Sequence, residues 1–164
     1  MTPTTTEGRA MATVTSDQTA SFRRYGTRSQ HGPSFLAARV LRLVCAGLLV
    51  WVAIIHLHLW TEGYRDIPTI GPLFLADALG GFVLAAVLLA WPRPLAGLLG
   101  AGFLISTLGG LIVSLNFGLF GFRESTEASF VIQTVILESV GALALLAWTG
   151  AVWRGLTRSR FSRR

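Results

Sequence analysis

Four apolar runs, each about as long as a bilayer's hydrocarbon core is thick, leave this chain few ways to fold. They cover residues 40–60, 70–91, 95–117 and 128–153. Backbone N–H and C=O groups have no water to bond in lipid, so a run of about 20 apolar residues is satisfied there as a helix. The expected fold is therefore all-α, a transmembrane four-helix bundle. Composition excludes the ordinary soluble alternative, with 52% hydrophobic residues, 13% charged residues and a mean hydropathy of +0.58.

The breaks between runs carry turn chemistry. Pro68 and Gly71-Pro72 introduce the second run, and Trp91-Pro92-Arg93-Pro94 ends it, because proline cannot continue a helix from within. Residues 1–33 are rich in Thr, Ser, Gly and Arg with few apolar positions, which predicts a disordered tail. A cleaved signal peptide is the competing reading, disfavoured because the first apolar run is long, begins late and ends in HLHLW instead of small residues. Residues 34–154 form the expected four-span domain, and 155–164 a short basic tail.

All fourteen basic residues are arginine, and they are distributed unevenly. Twelve fall on the side holding both termini and Arg93, against Arg65 and Arg123 on the other. The positive-inside rule then places both termini in the cytoplasm of a multi-pass cell-membrane protein. A pI near 11.2 also raises nucleic acid as a partner, but arginines at the ends of apolar runs point to anionic lipid headgroups instead. No nucleic-acid partner is expected.

Charged groups inside spans are costly and need a partner, a wet cavity or a neutral form, so each is a candidate for function. Two qualify, Asp77 and Glu138, at depths of about 10 Å and about 15 Å by helical rise. Thr134 lies one turn from Glu138 on one side, and Gly141 and Ala142 one turn away on the other, a stripe expected to face other helices. A purely structural, hydrogen-bonded carboxyl is the alternative for both acids. His56 and His58 lie about 200° apart on a helix, so they cannot share one metal, and only one need face the bundle. His56 shares its stripe with Arg42, Cys45, Leu49 and Val52, and His58 with Gly47, Trp51 and Ile55. The bland reading of either is an interfacial histidine beside Trp60. The single Cys45 excludes an intrachain disulfide and a cysteine metal cluster, and no metal site is expected.

Polarity is asymmetric along the spans. His56, His58, Asp77, Asn116, Gln133, Thr134 and Glu138 all fall toward the outer side, whereas the inner halves are nearly all apolar or small. An outward-open pocket would produce this pattern, with Arg65 and Arg123 over its mouth to pair with the acids or attract an anion. In the third run, Gly102, Ser106, Gly110 and Ser114 recur every four residues, and the second offers Ala76-Gly80 and Asp77-Gly81, all expected as packing seams. Gly63-Tyr64-Arg65-Asp66 is echoed by Gly121-Phe122-Arg123-Glu124, either a relic of a repeat or coincidence.

Nucleotide-binding loops, dinucleotide fingerprints, HExxH, GxSxG and CxxC are all absent from the sequence. The segments IHLHLW, GYRDIPTIGPLF and GLFGFRES resemble those of small four-span integral membrane proteins of high-GC bacteria, and in size and topology the chain is similar to DoxX-like membrane proteins. That resemblance implies the architecture and carries no activity. The leading expectation is a non-enzymatic protein binding a small or amphipathic ligand, with ligand binding coupled to carboxyl protonation. Two other readings stay open: a structural or assembly subunit in a homo- or hetero-oligomer, and a haem- or quinone-linked redox protein in which a dimer pairs histidines. The sequence names no cofactor.

Overall fold

The computed structural model describes residues 33–161, with side chains from 36 to 156. The predicted tail over residues 1–32, with its four arginines, lies outside the described residues. Four helices follow in order: α1 (Pro33–Thr61), α2 (Ile70–Ala90), α3 (Pro94–Asn116) and α4 (Val131–Phe161). All four are long and apolar enough to cross a membrane. Their outward faces are apolar too: Val40, Leu43, Val83 and Leu143 are each more than half exposed. An apolar exterior on an apolar core has no soluble rationale, so this is a multi-pass integral membrane protein.

Each helix stops for a local reason. Pro94 sits in the first turn of α3, where its missing N–H costs nothing. Gly118, at φ +82°, ends α3 by donating to the Val113 and Ser114 carbonyls at 3.1 and 3.2 Å. Helix α4 begins at Val131, three residues later than the apolar run, because Phe130 at φ +68° breaks the backbone ahead of it. It then runs on to Phe161, so much of the expected basic tail continues the helix.

Helices α3 and α4 pack antiparallel in a regular register. A Cβ at Gly97 would fall on the Thr149 hydroxyl and the Trp148 ring, one at Gly100 would press on Leu145, and one at Gly141 would meet Leu104. Glycine permits the two backbones to approach. Gly81 of α2 sits on Ala53 and the Leu49 carbonyl of α1, and Gly80 against Phe103 of α3. Leu49, Leu88, Leu104, Leu145 and Trp148 fill the core between them.

The seam expected on α3 is therefore misplaced by sequence reasoning. Gly102 and Gly110 have nothing within 4 Å of an added Cβ and Ser106 is exposed; Ser114 is buried, and it lines a cavity with Ser106 and Gly110 instead of packing on a helix backbone. The face that packs is Gly97, Gly100 and Leu104, chosen by the bulk of Trp148 and Leu145 opposite. The α2 seam at Gly80 and Gly81 does pack.

Candidate functional site

Continuing the α3–α4 register past Leu104 and Gly141 brings Thr107 opposite Glu138, and there the close packing ends. A cavity of about 220 Å³ opens between the helices toward the end where the α1–α2 and α3–α4 loops lie. Helices α1 to α4 and both loops contribute to its wall.

Glu138 is fully buried in that wall, and neither carboxyl oxygen has a hydrogen-bond partner among the described residues. The Thr107 hydroxyl stands beside it and is also within reach of its own helix, 3.0 Å from the Leu104 carbonyl and 3.3 Å from that of Phe103. A buried polar group without a partner costs about 1–3 kcal/mol.

His56 faces the same cavity from α1 and is 7% exposed. A carbonyl can only accept, so the 2.9 Å contact with Val52 O puts a proton on Nδ1 and turns Nε2 toward the cavity. Nε2 stands 3.9 Å from Oδ2 of Asp77 on α2, too far for a direct hydrogen bond and close enough for attraction when the ring is charged.

The loops close the mouth through contacts remote in sequence. Tyr64, in a single 3-10 turn (Tyr64–Asp66), donates its hydroxyl to Oε2 of Glu124 at 2.8 Å. Glu124 Oε1 accepts from the Ser125 N–H at 3.0 Å, and the Glu124 N–H donates to Ser114 Oγ at 3.2 Å, anchoring this loop to α3. Burial, and then the Glu124 carboxylate beside it, hold the Tyr64 phenol above the usual tyrosine range. Aromatic rings form a continuous arc: His56 to Phe74 at 5.3 Å between centroids, Phe74 to Tyr64 at 4.6 Å, Tyr64 to Phe122 at 5.8 Å. Phe122 is aimed inward by a tight turn in which Phe120 and Gly121 both have positive φ, closed by paired bonds between Leu119 and Phe122.

Of the nine residues singled out from sequence, His56, Asp77, Thr134 and Glu138 line the cavity together. The other five stand elsewhere. His58 lies on the exposed face of α1, 3.3 Å from Glu62 and edge-on to Phe130, so the two histidines point apart. Asn116 is exposed and donates to its own helix at Ile112 O, 2.8 Å away. Gln133 lines a separate surface depression beside the start of α4.

Arg65 and Arg123, expected over the mouth, do not line the cavity. Arg65 lies 3.7 Å from Asp66 at the surface, and Arg123 donates to Leu115 O at 3.3 Å, where the free carbonyls ending α3 attract a cation. Among the described residues, no group of three His, Cys, Asp or Glu side chains is placed to hold a metal.

Sequence reasoning missed Tyr64, Phe74, Phe122, Glu124 and the role of Thr107 and Ser114. A signal for half of them was present in the echoed tetrapeptides. Gly63 and Gly121 both adopt positive φ, at +135° and +83°, and the Tyr64 and Phe122 rings that follow them meet each other. The two backbones differ, a 3-10 turn after Gly63 and a reverse turn at Phe120-Gly121, but each echoed segment brings an aromatic ring to the cavity. Comparison with protein-family models, with curated proteins and with solved structures finds no match.

Proposed function

We propose that this membrane protein binds a small amphipathic molecule in the loop-end cavity, apolar body against the wall and polar head on Glu138. One observation carries the reading: a fully buried carboxyl with no partner, in the wall of a cavity. A ligand donor would satisfy it and recover what the empty fold loses. His56 and Asp77 supply a second polar contact close by. No catalytic step is assigned.

The arginine bias supports an orientation with both termini, Arg93 and the lipid-headgroup contacts on the cytoplasmic side, and the cavity opening to the other face of the cell membrane. The ligand would then arrive from outside or from the outer leaflet.

The test is mass spectrometry of small molecules kept through mild detergent extraction, on the wild type and on Glu138→Gln and Asp77→Asn. A molecule retained by the wild type and lost from both variants, at unchanged folding, is the expected result. Equal retention by all three would remove the reading.

A further inference from the structure

The ligand class can be narrowed, on the premise that the cavity binds a ligand at all. We infer that it is selective for a small monovalent organic cation, an aliphatic or arylalkyl ammonium, over a neutral or anionic molecule of the same size.

The charge of the wall is one-sided. Three carboxyls, Asp77, Glu124 and Glu138, line the cavity, and among the described residues no arginine does. The chain contains no lysine, and both loop arginines are engaged elsewhere. An anion placed here would meet three acidic side chains with only His56 to offset them, which disfavours carboxylate and phosphate ligands.

The three acids are not equivalent. Asp77 has His56 as its neighbour, and Glu124 already accepts from Tyr64 and from the Ser125 N–H. Glu138 alone is fully buried with neither oxygen in a hydrogen bond among the described residues. Two acceptors on one carboxylate suit a donor with several N–H groups and a positive charge, since such bonds are about twice as strong as neutral ones.

The remaining wall suits a cation as well. Phe74, Tyr64 and Phe122 line the cavity in mutual contact, and aromatic rings attract ammonium groups that have left water. A cavity of about 150 Å³ accommodates benzene, so 220 Å³ takes an aromatic ring with a short aminoalkyl arm.

The experiment uses the full-length protein in nanodiscs at neutral pH, titrated calorimetrically with phenethylamine, phenethyl alcohol and phenylacetate, which match in size and differ in charge. Phenethylamine is expected to bind about tenfold tighter than the alcohol, with phenylacetate undetectable. Glu138→Gln, whose folding is checked by its thermal transition, should abolish the tenfold preference while still binding the alcohol. Phe74→Leu should weaken the amine several-fold more than the alcohol, a second route should Glu138→Gln fold poorly. Alcohol or phenylacetate binding as tightly as the amine overturns the charge selectivity and leaves the cavity reading standing. Binding of none of the three overturns both.

Discussion

The Tyr64 hydroxyl donates to the Glu124 carboxylate at 2.8 Å, joining the α1–α2 loop to the α3–α4 loop across 60 residues of chain. With the Tyr64 and Phe122 rings meeting beside it, this bond holds the two loops over one cavity. It is the point at which two separate helical hairpins become a single site.

Replacing that hydroxyl tests the link. Tyr64→Phe should cost about 1.5 kcal/mol, the value of a hydrogen bond to a charged acceptor in a partly buried setting. Chemical unfolding in detergent micelles measures it. Loss within error would mean that the loops are held by ring packing alone.

The same phenol makes stability depend on alkaline pH. Its folded value is raised, so both states are protonated below about pH 10, the ordinary tyrosine range. Above that range the unfolded chain ionises first, and stability falls until the folded phenol also ionises. Thermal transitions across this window should decline in the wild type and decline less steeply in Tyr64→Phe. Identical slopes would contradict the assignment.

Glu138 sets stability against binding. Glu138→Leu replaces an unpartnered buried carboxyl with an apolar side chain and should raise the stability of the unliganded protein by about 1–3 kcal/mol. The same variant should lose ligand retention completely. A destabilised Glu138→Leu would show that the carboxyl is satisfied in the membrane and would undercut its role as a ligand anchor.

The glycine seams separate by substitution. Gly97→Ala drives a Cβ into the Thr149 hydroxyl and Trp148 ring and should cost about 1–3 kcal/mol. Gly102→Ala meets nothing within 4 Å and should gain up to about 1 kcal/mol from helix propensity. Thermal unfolding of the pair in one detergent decides it, and equal effects would refute the packing register.

Topology is open to a labelling test. In a Cys45→Ser background, single cysteines at Glu62 and Glu127 should react with an impermeant maleimide on intact cells, and one at Arg93 only after permeabilisation. The reverse pattern would invert the orientation that the arginine count supports.

Much of the bundle could be read from residue order, because its signals are local. Apolar length marks four spans, and proline and glycine mark their ends. The 3.6-residue period also put the histidines on different stripes: Cys45, Leu49, Val52 and His56 are all buried, whereas Gly47, Trp51 and His58 are exposed, although Ile55 on the His58 stripe is buried. The same logic placed Thr134, Glu138, Gly141 and Ala142 on the inward face of α4. It failed on α3, where three of the four four-residue rows offer glycine and only the partner helix discriminates among them.

What the sequence alone determined is thus the set of helices and, for α4, the face turned inward. Both follow from solvation energies that depend on a residue and its neighbours within two turns. Only the tertiary structure decided which loop side chains complete the cavity. Tyr64 and Phe122 went in, while Arg65 and Arg123 went to a neighbouring carboxylate and a helix end. Loop side chains choose among partners that distant segments deliver, and the partner Tyr64 chose stands 60 residues away.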